Sequence, residues 1–177
     1  MNKNQDTIYA INHYNFLDKI LFKKRLEISS IINDTILDLQ IHDALDIGTT
    51  SDDKNASSNI VIKNIKNIDK FKCISDQIVN SDFFNKKIKK SITEEFSENE
   101  LINFSSDLVV SNATIEHVGN TLNQKKMLKN IIKLTKKIFV ITTPNKFYPI
   151  ELHTKIPLIH WFPKSIYRKI LKFLGLS

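Results

Sequence analysis

The chain has 177 residues, of which 41% are hydrophobic and 25% are charged, values typical of a folded globular domain. No apolar run approaches the roughly 20 residues that a transmembrane helix needs. The N-terminal residues lack the apolar stretch and the cleavage site of a signal peptide. A single cysteine, Cys73, excludes an intrachain disulfide and a zinc site built from several cysteines. The composition therefore excludes collagen-like, disulfide-scaffold and transmembrane classes, and we expect a cytoplasmic protein.

The positive charge is concentrated in the last third of the chain. Residues 1–120 carry 14 basic and 18 acidic side chains, whereas residues 121–177 carry 12 basic and one acidic. Such a segment suits an anionic lipid, nucleic acid or substrate, and it also suits a solvated lysine face. Arginine, which makes bidentate contacts to bases, occurs only twice. We therefore expect no nucleic-acid partner.

Hydrophobic periodicity in the first half predicts helices that alternate with short strands. Residues 16–39 show mostly helical spacing of apolar side chains, in one helix or two. Residues 44–48 form a short apolar run that ends at a glycine, which predicts the first strand. The elements predicted next are a helix at 57–68, a strand at 71–75, a short helical turn at 82–87 and a short strand at 87–92.

The second half has the stronger signals. Residues 107–111 are an apolar run typical of a buried strand, and residues 121–134 have the spacing of an amphipathic helix. Residues 137–143 predict the strongest strand, which Pro144 ends. The alternation favours βαβ units, so the predicted fold class is α/β, a Rossmann-like three-layer sandwich with a mainly parallel sheet. Ligands of such sheets lie at the carboxyl ends of the strands.

Residues 163–175 predict a helix that begins at a proline, ends at a glycine and has one apolar and one basic side. This pattern fits a helix packed on the domain or over the substrate site, and it also fits membrane contact through residues 163–177. We expect one domain overall. Its parts are an N-terminal helical segment packed on the core (1–40), a cofactor-binding core (41–150) and a basic amphipathic segment that is a lid, cap or interface helix (151–177).

Three segments, in this order, resemble class I S-adenosylmethionine-dependent methyltransferases of the methyltransferase type 11 group. They are ALDIGTT at 44–50, DLVVSNATIEHV at 107–118 and ITTPN at 141–145. The first segment lies where that family has an acid-x-Gly-x-Gly loop, of which only the first glycine is present here. The resemblance covers about residues 44–174. It implies that the protein methylates a small-molecule, sugar or lipid-linked acceptor with S-adenosyl-L-methionine.

The resemblance also implies which residues hold the cofactor. Asp46 would lie near the ammonium group of the methionine part, and Gly48 would let the cofactor approach the backbone closely. An acid after the second strand would bind the ribose hydroxyls, with Asp76 as the first choice and Asp82 as the second. The other residues expected at the cofactor are Thr49 and Thr50 in the loop, Thr93 or Glu94 beside the adenine, and Ser111 and Asn112 at the end of the fourth strand.

Methyl transfer depends mainly on holding the two reactants in line, but a hydroxyl acceptor also needs a base. His117 is the candidate base, and the alternative is a histidine hydrogen-bonded to a neighbouring loop. Glu116 is the second catalytic candidate, with a carboxylate favoured at a helix start as its alternative. The residues expected around the acceptor, or else only packed in a lid, are Asn145, His153, His160 and Trp161. Because the histidines lack a third well-spaced ligand, we expect no metal site.

The methyltransferase fold usually has two further strands after the fifth. No strand pair is evident after Thr143, so we expect the sheet to lack those strands and a homo- or hetero-oligomer to cover its edge. This departure and the missing glycines leave a second hypothesis open, a non-catalytic methyltransferase-like binding or partner domain. A Rossmann-type oxidoreductase is disfavoured because the G-x-G-x-x-G pattern is absent.

Overall fold

A five-stranded sheet is the central feature of the structure, a computed structural model that describes residues 16–51, 58–144 and the single residues 166, 169 and 172. The elements in chain order are α1 (Phe16–Ile36), β1 (Asp43–Ile47), α2 (Ile60–Lys63), β2 (Lys70–Ser75), β3 (Lys86–Lys89), α3 (Glu98–Phe104), β4 (Ser106–Asn112), α4 (Thr121–Leu134) and β5 (Thr135–Thr142). The strand order is β3-β2-β1-β4-β5, and every pair is parallel. This confirms the predicted α/β, Rossmann-like fold class. The strand order reverses between β1 and β4, which is where such sheets bind ligands.

Helices cover both faces of the sheet, which explains why the residues of β1 and β4 are buried almost continuously rather than alternately. On one face, Ile32 of α1 and Ile60 of α2 pack with residues such as Leu108 of β4. On the other face, Phe104 of α3 and Met127 of α4 pack with their own set of strand residues. The result is the predicted three-layer arrangement.

The strands and α4 lie where the sequence predicts them. The bounds of α4 agree with the prediction, and those of β1, β2, β4 and β5 differ from it by one or two residues. The N-terminal periodicity corresponds to one helix rather than two. In these segments the buried apolar residues, such as Ile32 of α1 and Met127 and Ile131 of α4, recur with the period that the element requires.

Three predictions in the first half were wrong in detail. The described part of the helix predicted at 57–68 is a single turn, bounded by Asn59 in the left-handed conformation (φ 55°) and by Asn64. The helical turn predicted at 82–87 is instead a short turn that leads into β3, and β3 ends earlier than predicted. Asparagine accepts the left-handed conformation and competes with helical hydrogen bonds, which accounts for the short helix.

Helix α3 was not predicted from the sequence, although its start carries a recognisable pattern. Ser97 Oγ accepts a hydrogen bond from the Glu100 amide at 3.3 Å, and the Glu100 carboxylate accepts one from the Ser97 amide at 2.8 Å. This reciprocal pair is the capping box that Ser-x-x-Glu encodes. Lys90 Nζ donates to both carboxylate oxygens of Glu100, at 2.9 and 2.8 Å. The hydrogen bonding from Lys90, together with the hydrogen bond from the Ser97 amide, lowers the pKa of Glu100 to about 2.

The two edge strands of the sheet differ in character. The edge strand β3 carries three exposed lysines, Lys86, Lys87 and Lys89. Among the described residues, no strand pairs with the outer side of β5. The expectation that the last two methyltransferase strands are missing falls on residues beyond 144, most of which lie outside the described ranges.

The chain divides into two compact units, residues 1–142 and 143–177. In the second unit, the described residues Ile166, Lys169 and Lys172 are helical and exposed. Across the described ranges, no helix is long and apolar enough to cross a membrane.

Candidate functional site at the carboxyl end of the sheet

The strands β1 and β4 separate at the switch point. Their ladder ends at the pair Asp46 and Val110, and beyond it the Ile47 carbonyl accepts hydrogen bonds from side-chain hydroxyls instead. Thr114 Oγ1 donates to the Ile47 oxygen at 3.1 Å, and Ser111 Oγ donates to it at 3.4 Å. The Gly48 amide turns to the other side and donates to a carbonyl of β2 at 2.9 Å. The opening between β1 and β4 is therefore lined by hydroxyl groups.

Asp46 is a buried carboxylate beside this opening. Its Oδ2 atom accepts a hydrogen bond from Thr49 Oγ1 at 2.6 Å. Burial raises the pKa of Asp46 to about 6, although the Thr49 hydrogen bond opposes the rise. No cationic side chain of the described residues forms an ion pair with Asp46. The site therefore holds a negative charge above about pH 6 without a neutralising partner in that part of the chain.

Cys73 lies next to Asp46 on the neighbouring strand β2, in register with it. Its side chain is buried, and burial together with the nearby Asp46 charge raises the pKa of the thiol to about 12. The thiolate is the reactive form of cysteine, so this thiol stays protonated and unreactive at neutral pH. We therefore assign Cys73 to the hydrophobic core and not to the group of candidate reactive residues.

The loop after β1 is held by its neighbours through hydrogen bonds. Ser75 Oγ donates to the carbonyl of the buried Thr49 at 2.7 Å. The exposed Thr50 bonds reciprocally with the half-buried Asn59: the Thr50 amide donates to Asn59 Oδ1 at 2.9 Å, and Asn59 Nδ2 donates to the Thr50 carbonyl at 3.1 Å. This pairing explains the unusual backbone conformation of Asn59. Both predicted loop threonines lie at the carboxyl end of the sheet, one inward and one at the surface.

Asp76 is the first residue after β2 and is exposed at the carboxyl end of the sheet. The loop after β1 reaches it closely, because Ser51 Oγ donates to Gln77 Oε1 at 2.8 Å. Asp82, the second candidate, lies farther along the chain from the carboxyl end of β2. By Asn85 the chain has returned to the start of β2, where the Asn85 amide bonds the Phe71 carbonyl at 2.7 Å. Asp76 is therefore closer than Asp82 to the loop after β1, at the carboxyl end of the sheet.

Thr93 and Glu94 form the turn after β3, and their side chains close the turn itself. The hydroxyls of Thr93 and Ser91 lie 2.9 Å apart, and the Glu94 carboxylate accepts from the Ser91 amide at 3.1 Å. The buried Asn130 of α4 holds the turn by donating to the carbonyls of Ile92 and Glu94, at 2.6 and 2.8 Å. These contacts make the turn a fixed wall rather than a set of unengaged ligand groups.

Ser111 and Asn112 end β4, as predicted. Ser111 is buried, with its hydroxyl directed at β1. Asn112 Oδ1 accepts a hydrogen bond from Thr142 Oγ1 at 2.7 Å, which links β4 to β5 at their carboxyl ends. The backbone then turns sharply, since Ala113 has a positive φ of 54°.

Thr114 is a site residue that the sequence analysis did not single out. Gly48 has a φ of +84°, and a Cβ atom added there would lie 2.9 Å from Thr114 Cβ and still closer to the rest of that side chain. The need for glycine at position 48 therefore arises from the protein's own packing. Thr114 lies 67 residues after Ile47, so no local pattern connects the two.

Glu116 and His117 follow in the same turn, at the same end of the sheet as Asp46. The His117 amide donates to the Thr114 carbonyl at 2.9 Å. The side chain of His117 is exposed, and that of Glu116 is half-buried. Both candidates thus lie after the carboxyl end of β4, on the side of the sheet where β1 and β4 separate.

Four predicted residues, Asn145, His153, His160 and Trp161, lie outside the described ranges. Within those ranges, no group of three or more histidine, cysteine, aspartate or glutamate side chains is arranged to hold a metal ion.

Comparison with known proteins adds no assignment to this geometry. No protein-family model matches the chain, and no curated protein matches it. The fold class therefore rests on the sheet, and the case for a function rests on the residues at its carboxyl end.

Proposed function

We propose that the protein is an S-adenosylmethionine-dependent methyltransferase that acts on a small-molecule, sugar or lipid-linked acceptor. The observation that carries the proposal is Asp46, a buried carboxylate at the switch point with no cationic partner among the described residues. A carboxylate held away from water attracts a cation more strongly than an exposed one does. The ammonium group of the cofactor's methionine part has the required charge.

The other residues fit this cofactor in distinct roles. Thr49 orients the Asp46 carboxylate through its 2.6 Å hydrogen bond. Asp76, exposed after β2, would accept hydrogen bonds from the ribose hydroxyls. The cofactor supplies a methyl group that is already activated by its sulfonium charge, so the protein mainly has to position the acceptor. His117 would take the proton of a hydroxyl acceptor.

Calorimetric titration with S-adenosylmethionine and S-adenosylhomocysteine tests the proposal. We expect binding to strengthen about tenfold between about pH 5 and pH 7.5, because Asp46 becomes ionised over that range. We expect Asp46→Asn to weaken binding at least about tenfold and to remove the pH dependence. Asp76→Asn should also weaken binding, whereas Asp82→Asn is the matched control. An absence of binding at millimolar cofactor would overturn the proposal.

A specific observation favours a second candidate, a non-catalytic methyltransferase-like binding or partner domain. The Thr114 side chain fills the space over Gly48, where the family resemblance expects the cofactor to approach the backbone. Cofactor binding without methyl transfer to any member of an acceptor panel would favour this candidate. Titration with NADH, followed by fluorescence, addresses a dinucleotide-binding enzyme, and we expect no binding.

A further inference from the structure

The outward face of α4 combines exposed apolar side chains with lysines. Its inward side chains, such as Met127 and Ile131, are completely buried. On the opposite side, Leu122 is 61% exposed and Ile132 is 60% exposed. Lys125 and Lys129 lie between them at helical spacing and are also exposed. These side chains share one face because residues three, four and seven apart align along a helix.

The charge on α4 has one sign. The helix contains four lysines, all exposed, and no acidic residue: Lys125, Lys126, Lys129 and Lys133. None of the four forms an ion pair with a described residue. The outward face is therefore both positively charged and apolar, whereas an ordinary solvated helix face alternates charges of both signs.

Helix α1 provides the internal comparison. It also exposes an apolar residue, Ile31 at 63%, and Leu37, which follows the helix, is 69% exposed. However, α1 carries both acidic and basic residues, and Lys24 pairs with Glu27 at 2.6 Å. Exposed apolar side chains alone therefore do not distinguish α4. Its distinguishing feature is their combination with uncompensated lysines.

We propose that the outward face of α4 docks on an anionic lipid bilayer. Lysines attract a surface of anionic headgroups, and leucine and isoleucine gain free energy when they enter the boundary between headgroups and acyl chains. A nucleic-acid backbone offers the charge but not the apolar layer. The inference does not depend on the proposed function, and the surface differs from residues 163–177, which the sequence analysis associates with membrane contact.

Vesicle co-sedimentation of the full chain tests the apolar part. We expect binding to phosphatidylcholine vesicles that contain about one third phosphatidylserine, and little binding to phosphatidylcholine alone. The double variant Leu122→Gln/Ile132→Gln should bind at least about tenfold more weakly, because two apolar side chains no longer enter the bilayer. The matched control is Ile31→Gln/Leu37→Gln, which removes equally exposed apolar side chains elsewhere and should bind like the parent.

A second pair of variants tests the charge. Lys125→Gln/Lys129→Gln should weaken binding by about tenfold or more, and the loss should shrink as salt is raised. Lys66→Gln/Lys70→Gln changes the net charge equally at exposed positions away from α4 and is the control. All substituted side chains are exposed, so thermal unfolding curves should match those of the parent.

Three outcomes would overturn the inference. The first is no binding to anionic vesicles by the folded parent. The second is an equal loss of binding in the control variants, or a loss confined to Lys169→Gln/Lys172→Gln, which would place the contact elsewhere. The third is binding to a single-stranded oligonucleotide as strong as binding to vesicles and unchanged by Leu122→Gln/Ile132→Gln. That result would identify a nucleic-acid surface.

Discussion

The carboxylates at the two ends of the parallel sheet have different kinds of partner. At the amino end, Lys72 Nζ lies 2.7 Å from the Asp43 carboxylate, and Lys136 lies 3.6 Å from it. Asp107 likewise has Lys137 at 3.6 Å. At the carboxyl end, the buried carboxylate of Asp46 has only a hydroxyl partner among the described residues.

This difference indicates which end is built for stability and which for binding. A carboxylate that is neutralised by a lysine of the same chain attracts a charged ligand only weakly. Burial acts to raise the pKa of Asp43, but hydrogen bonds from Lys72 and from the Asp107 amide outweigh it and hold that pKa below its usual value. The pKa of Asp46 moves in the opposite direction. A group that the fold leaves costly to ionise is a candidate for function.

Substitution of Lys72 by methionine should have the largest effect, because it breaks the ion pair at the amino end. The Lys72 side chain is buried and also donates to the Ser105 carbonyl at 2.8 Å. We expect a loss of about 3 to 5 kcal/mol in the free energy of unfolding, measured with urea, because Asp43 is left without its main partner. Asp43→Asn in the same chain should recover much of the loss. A cost below about 1 kcal/mol would show that the pair is not structural.

The pH dependence of stability should identify Asp46 at the other end. Its pKa is higher in the folded protein than the ordinary 3.8, so its contribution is fully present below about pH 4 and is lost as the pH rises through about 6. Between those limits we expect Asp46→Asn to gain about 3 kcal/mol in unfolding free energy relative to the parent. The comparison uses urea unfolding at several pH values. Parallel curves for the two proteins would contradict the raised pKa.

Substitution of Gly48 by alanine tests the packing of Thr114 over the turn. The positive φ and the overlap with Thr114 should together cost about 2 kcal/mol or more. Thr114→Gly by itself loses the hydrogen bond to the Ile47 carbonyl, so it serves as a second background. In that background, Gly48→Ala should cost only the part that comes from the backbone conformation, as measured by thermal unfolding of the single and double variants. An equal cost of Gly48→Ala in both backgrounds would show that the overlap contributes nothing.

The smallest effect is expected for Thr142→Val, which removes the hydroxyl that bonds Asn112 at the carboxyl ends of β4 and β5. This hydrogen bond is neutral and half-buried, so we expect a loss of about 1 kcal/mol. The loss should not change with pH between about 4 and 7, whereas the gain expected for Asp46→Asn grows over that range. If the loss did depend on pH, the Thr142–Asn112 hydrogen bond would be coupled to the ionisation of Asp46.

The sequence was sufficient for the elements whose apolar residues report burial directly. The run at 107–111 and the periodicity at 121–134 identified β4 and α4 because each signal is local. The sequence was less informative where polar side chains determine where a helix begins and ends. Asn59 and Asn64 confine α2 to one turn, and the capping box of Ser97 starts a helix with a weak apolar pattern.

The candidate site divides in the same way. The positions of Asp76 and Ser111 were predictable because these residues directly follow or end predicted strands, and that of Asp46 was predictable because it lies within one. Thr114 was not, because its contact with Gly48 joins loops that are far apart in the chain. The partners of Asp43 could not be predicted from the sequence either, because Lys72 approaches Asp43 only once β1 and β2 are in register. Long-range polar contacts of this kind depend on the assembled sheet.

The lysines of the edge strand β3 have a consequence for self-association. A strand added at this side would bring another chain against Lys86, Lys87 and Lys89, a row of like charges that resists pairing. Growth of a fibre by edge-to-edge addition requires both margins of the sheet to accept a neighbour. We therefore expect the lysines of β3 to disfavour edge-to-edge addition at that margin of the sheet.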